Sequence, residues 1–199
     1  MTDIAIIDGG GANIASLQFA LKRLGADSVL TTDKDIIRSA QRVILPGVGA
    51  AADAMERLQR AELVDFIPTL TQPLLGICLG MQLLFESSEE DNANCLGILD
   101  GRARLFEVAE DQPVPHMGWN KVSFTGDSQL FTDIPDGSYF YFVHSYAVDV
   151  GAATTGVASY GRDFTAIAGR DNFMGAQFHP ERSGRWGAQL LKNFLQLGN

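Results

Sequence analysis

Apolar positions in the first half of the chain fall into short unbroken runs, separated by stretches in which they recur every three or four residues. Ile4 to Asp8, Val43-Ile44-Leu45 and Leu74-Leu75-Gly76-Ile77 read as strands buried on both faces. Leu17, Leu21 and Leu24 have helical spacing before Gly25 closes that helix, and Ala50 to Leu70 reads as helical with breaks near Ala61 and before Pro68. The second half is patterned differently. Gly97 to Phe106, Trp119 to Phe124, Tyr139 to Val148, Val157 to Tyr160 and Phe164 to His179 are strand-like stretches cut by Gly, Asp and Asn turns, with a hairpin tip at Asp171-Asn172. Trp186, Leu190 and Phe194 then mark a final amphipathic helix. The expectation is an α/β fold: a mixed, mainly parallel central sheet flanked by helices, with antiparallel strands in the second half, in one domain spanning residues 1–199.

Two segments carry candidate chemistry. Pro73 to Gln82 places Cys78 between Gly76 and Gly80, where an apolar strand gives way to a helix continuing through Met81, Gln82, Leu83, Leu84 and Phe85. A G-x-C-x-G turn of this kind is a nucleophile elbow, since glycines on either side permit a sharp turn and close strand-helix packing. Unpaired N–H groups and the helix dipole favour thiolate there. Some hundred residues later, Gln177-Phe178-His179-Pro180-Glu181 sets a histidine and a glutamate two apart on an extended segment, so that the carboxylate holds the ring. Cys78, His179 and Glu181 form a candidate nucleophile-base-acid triad. Cys95, in Asn92-Ala93-Asn94-Cys95-Leu96, has no such flanks and reads as an indifferent thiol.

Composition narrows the classes. A hydrophobic content of 46% with 20% charged residues is that of an ordinary globular protein. A net charge of −9 argues against a nucleic-acid binder, which needs a basic stripe. Two cysteines leave no disulfide framework, and Met1-Thr2-Asp3-Ile4 lacks the features of a signal peptide, so a cytoplasmic enzyme without membrane attachment is expected. Three scattered histidines lack metal-ligand spacing, and neither metal nor other cofactor is expected. The Asp8 to Asn13 loop is glycine-rich but has neither the G-x-G-x-x-G spacing nor a P-loop lysine.

The elbow and the Phe178 to Glu181 string resemble those of class I, triad-type glutamine amidotransferases, in which a cysteine attacks the side-chain amide of glutamine. Three further strings, Pro46-Gly47-Val48-Gly49, Pro115 to Asn120 and Tyr141 to Tyr146, are similar to those in glutaminase subunits of imidazole glycerol phosphate synthases, and the likeness runs over essentially the whole chain. The resemblance implies a heterodimer with a (β/α)₈ cyclase subunit. That subunit combines ammonia from L-glutamine with a phosphorylated ribulosyl aminoimidazole carboxamide, giving imidazole glycerol phosphate and an aminoimidazole carboxamide ribotide in histidine biosynthesis.

For the site, the elbow places the Leu79 N–H in the oxyanion hole, and the Gly47-Val48-Gly49 loop supplies a second N–H from Val48. Gln82 is expected to recognise the amino-acid end of glutamine, Gly47 and Gly49 count with it among the expected substrate-binding residues, and the resemblance adds backbone groups around Val143, His144 and Ser145. It also puts Asn13 at the partner face, and Trp119 is a plausible interface anchor. The chain departs from the resembled subunits at Arg182, where lysine is usual, which changes donor geometry at equal charge. Glutaminases serving vitamin B6, anthranilate or purine synthesis remain alternatives, as does a cysteine hydrolase or stress protein on a related sheet.

Overall fold

The computed structural model describes residues 3–9, 14–107, 112–126 and 128–198. In chain order, β1 (Ile4–Ile7), α1 (Ile14–Arg23), β2 (Ser28–Thr31), α2 (Lys34–Ser39), β3 (Arg42–Gly47) and α3 (Ala51–Arg60) alternate strand with helix. A 3-10 turn at Ile67–Thr69 leads to β4 (Leu74–Cys78) and the single-turn α4 (Leu79–Gln82). Then follow β5 (Ser87–Ser88), β6 (Arg102–Leu105), β7 (His116–Phe124), β8 (Ser138–His144), β9 (Tyr146–Val148), β10 (Thr154–Tyr160), β11 (Arg162–Arg170), β12 (Phe173–Ala176) and α5 (Gly184–Gln196).

Among the described residues, nine strands form one sheet in the order β2-β1-β3-β4-β12-β11-β10-β7-β8. The pairs from β2 to β12 are parallel, and those from β12 to β8 antiparallel. This is the expected mixed α/β sheet. Strand alternation distributes the core over two faces. Ile4 and Ile6 pack with Leu17, Leu21, Leu190 and Phe194 from α1 and α5. Ala5 and Ile7 point the other way, into a layer with Ile37, Leu58 and Leu63. A separate three-stranded sheet, β5-β6-β9, lies outside the main one.

Several expectations need correction. The 97–106 stretch is strand only over Arg102–Leu105, and the 139–148 stretch breaks at Ser145, so that β8 and β9 belong to different sheets. The helix after Cys78 ends at Gln82 instead of running on to Phe85, because the chain turns to let Leu96, Gly97 and Leu99 donate to the carbonyls of Leu83, Phe85 and Leu84. The hairpin tip is where expected: Asp171 adopts φ 55°, and Asn172 bonds back to the Leu70 and Gln72 carbonyls. Among the described residues no helix is long and apolar enough to cross a membrane.

Candidate active site

Cys78 ends β4 in a strained conformation, φ 54° and ψ −113°, with its side chain buried. Two glycines make that turn possible. A Cβ on Gly76 would stand 2.7 Å from the Gly80 carbonyl oxygen, and one on Gly80 would strike the Leu45 carbonyl oxygen of β3. Gly47 serves the same packing, because its missing Cβ would meet the Gly80 nitrogen at 2.7 Å. Val48 and Gly49, by contrast, line the cavity over Cys78. Leu79 opens α4, so its N–H lies in a first turn that has no intrahelical acceptor. A helix of four residues has little dipole, however, and the sequence argument for thiolate from that source loses most of its force.

What faces the sulfur instead is His179. Its Nδ1 lies 2.9 Å from Glu181 Oε1, leaving Nε2 for Cys78. Burial by itself disfavours the charged ring, but hydrogen bonds and opposite charge from Cys78 and Glu181 outweigh it and raise His179 to about 10. The carboxylate does not reach the ring by strand alternation as expected. β12 stops at Ala176, and a 3-10 turn over Pro180–Arg182 folds Glu181 back to His179. Ser183 clamps that turn, donating its hydroxyl to the His179 carbonyl at 2.7 Å and accepting the Tyr141 N–H at 2.9 Å. Glu181 Oε2 is buried without a hydrogen-bond partner among the described residues.

A cavity of about 490 Å³ opens over these groups. Val48, Gln82, Val143, His144 and Ser145 all line it, so the structure brings these expected residues together with Cys78 and His179. Gln82 is no exposed helix residue: it is 4% accessible, and its Nε2 donates to the Tyr146 carbonyl at 2.8 Å and to Gln177 Oε1 at 2.9 Å. Arg182 also lines the cavity, its guanidinium 4.9 Å from the centre of the Tyr141 ring. Asn13 lies outside the described residues. Trp119 is 55% exposed and stands on β7 opposite Tyr141 of β8, the two ring centres 6.0 Å apart, and Met117 and Tyr139 are also exposed on this hairpin.

Sequence reasoning missed three features. Glu90 lines the cavity, accepts the Ala51 N–H at 2.8 Å, and has its carboxyl raised chiefly by burial. Its signal was lost within the run Glu89-Glu90-Asp91, where nothing local marks one acid from another. Gln177 is fully buried against Cys78. His116 and His144 face each other across β7 and β8, His116 Nδ1 lying 3.1 Å from His144 Nε2. His144 Nδ1 donates to the Tyr146 carbonyl at 2.8 Å, which leaves Nε2 to accept from His116. Burial holds both rings neutral, lowering His116 to about 4 and His144 to about 3.

An elbow cysteine, a histidine-carboxylate pair and a mixed sheet with the site at strand ends define a triad-type amidotransferase. Residues 5–197 match the family model for glutamine amidotransferase class-I, and the chain belongs to that family. It is 50% identical over 197 residues to "Imidazole glycerol phosphate synthase subunit HisH" of Xanthomonas axonopodis pv. citri (strain 306), covering 99% of this chain and 98% of the relative. The protein of the same name from Vibrio parahaemolyticus serotype O3:K6 (strain RIMD 2210633) is 46% identical, with 98% of each chain covered. Among solved structures, the crystal structure of a glutamine amidotransferase superposes with a TM-score of 0.74 over 97% of each chain, at 16% identity. That likeness speaks to the fold.

Proposed function

We propose that this chain is the glutaminase subunit of an imidazole glycerol phosphate synthase, working as a heterodimer with a (β/α)₈ cyclase in histidine biosynthesis, in the cytoplasm and as one domain over residues 1–199. The observation that carries the chemistry is the meeting of Cys78, on its strained elbow, with a His179 that Glu181 holds at 2.9 Å. Cys78 attacks the side-chain carbonyl of glutamine, and His179 takes the thiol proton and passes it to the departing ammonia. Water then hydrolyses the glutamyl thioester. The Leu79 and Val48 N–H groups receive the oxyanion.

Gln82 spends its N–H groups on Tyr146 and Gln177, which leaves Oε1, an acceptor, as the group it has to offer the cavity. With the Glu90 carboxylate it forms an acceptor pair for the substrate ammonium, while backbone groups of Val143, His144 and Ser145 take the other polar atoms. The exposed Met117, Trp119 and Tyr139 suit a partner face, since apolar side chains clustered on an edge hairpin are a common mark of one.

Replacing Cys78 by alanine tests the assignment. In the assembled complex, Cys78→Ala abolishes glutamine-dependent synthesis while product still forms from added ammonium salt at raised pH. Loss of both activities, or survival of the glutamine-dependent one, refutes the division of labour.

A further inference from the structure

The side chain of Gln177 has no part in the mechanism above, yet it is fully buried and touches the sulfur. Strand pairing puts it there. β12 runs parallel to β4 with Ala176 opposite Ile77, so the next residue on each strand brings Gln177 beside Cys78. Its own N–H donates to the Ala166 carbonyl at 2.9 Å, which fixes the backbone.

The orientation of its amide follows from its neighbours. The Tyr146 carbonyl can only accept, and it takes His144 Nδ1–H and Gln82 Nε2. Gln82 therefore presents nitrogen, and the same nitrogen meets Gln177 at 2.9 Å, so Gln177 must answer with Oε1. Its Nε2 is left facing Cys78 Sγ at 3.8 Å. On another side of the sulfur the Val143 carbonyl lies at 3.7 Å, where it accepts from a thiol but opposes a thiolate. The two contacts favour opposite protonation states.

We propose that Gln177 is a catalytic residue whose side-chain N–H stabilises negative charge on Cys78 Sγ. This rests on the reading of Cys78 as nucleophile. In that step the S–H bond breaks, an N–H bond forms at His179 Nε2, and the electron pair left on sulfur points at Gln177 instead of at the Val143 carbonyl. No redox partner is involved. When sulfur bonds to the glutamine carbonyl carbon its charge disappears and the N–H contact weakens, so Gln177 acts on the resting nucleophile and again as the thioester is broken.

The test is alkylation of the intact chain by iodoacetamide at neutral pH, with each cysteine-containing peptide followed by mass spectrometry. A hydrogen bond to a charged group corresponds to roughly tenfold to a hundredfold in the population of that charge. Gln177→Leu slows Cys78 alkylation by that factor. Gln177→Met, close to glutamine in length but without an N–H, slows Cys78 as much, so the prediction survives if the leucine variant does not fold. Cys95, whose thiol burial raises to about 11, is the internal reference and keeps its rate. Wild-type alkylation of Cys78 in either folded variant overturns the proposal. So does a change at Cys95 in step with Cys78, which traces the effect to packing of the whole chain. If Cys78→Ala retained glutamine-dependent synthesis, the functional reading would fall while these alkylation rates still judged the N–H contact.

Discussion

Lowering the pH exposes what the chain spends to keep His116 and His144 neutral. Both have an ordinary value of 6.5 when unfolded and are lowered in the fold, to about 4 and about 3, chiefly by burial. His116 is sandwiched between the Tyr160 and Phe142 rings, at 4.1 and 5.1 Å, where water cannot solvate a cation. His144 also faces His116, His179 and Arg162, each of which opposes a positive charge on it. A base whose folded value is depressed contributes nothing to pH dependence above 6.5, and below it the unfolded chain binds protons that the folded chain refuses. Stability therefore falls from pH 6.5 down to about pH 4 for His116 and about pH 3 for His144.

Between pH 7.5 and 5 each ring contributes a loss of about 2 kcal/mol, a sizeable part of the roughly 5–15 kcal/mol that holds a typical domain. His179 works in the opposite direction. Its folded value is raised, so its contribution is complete below 6.5 and disappears as pH rises toward about 10. Urea titration of the free chain at the two pH values, with His116→Asn alongside wild type, isolates one ring. Asparagine keeps a donor for His144 but does not titrate, so the variant, though less stable at pH 7.5, loses about 2 kcal/mol less on acidification. Equal losses in both proteins would show that His116 takes its proton in the fold as readily as outside it, and the argument from burial would fail.

Two further outcomes concern the cavity mouth and the exposed hairpin. Val48→Pro deletes the N–H assigned to the oxyanion hole and lowers partner-stimulated glutaminase activity by about two to three orders of magnitude. An unaltered stimulated rate removes Val48 from that role. Trp119→Ala weakens association with the cyclase by about thirtyfold, corresponding to roughly 2 kcal/mol, and leaves the chain folded because the ring packs only at the surface. Calorimetric titration showing unchanged affinity rules the anchor out.

Features set by local pattern were legible in the sequence. β1, β3 and β4 are runs buried on both faces, and the elbow announced itself through glycines whose absent Cβ atoms are demanded by contacts of under 3 Å. β2 escaped notice because Ser28–Thr31 is an edge strand, only half-buried and without an apolar run. α2 is six residues long, too short for periodicity, although Asp33 caps it through bonds to the Asp35 and Ile36 nitrogens and so left a trace in the sequence. Within the site, Cys78 and His179 were marked by their motifs, and Glu181 was singled out beside them, though a 3-10 turn and not strand alternation brings it to the ring. Gln177, Glu90 and the His116–His144 pair were not marked, since each takes its meaning from a strand or loop distant in sequence. Gln177 sat in full view inside the motif, but the contact that gives it a task is with residue 78, across a parallel pairing that no local signal specifies.

That parallel pairing also has a consequence in time. β4 carries the proposed nucleophile, yet the residues proposed as its base, orienting acid and buried amide neighbour all arrive with residues 177–181, just after β12, the strand that lies between β4 and β11. At about 5–20 residues per second, a ribosome takes roughly 5–20 seconds to travel from Cys78 to His179. Throughout that interval the nascent polypeptide carries Cys78 without His179, the imidazole proposed to draw off its proton. A half-made chain therefore lacks the groups proposed to activate that sulfur for ammonia release, and gains them together in one short segment.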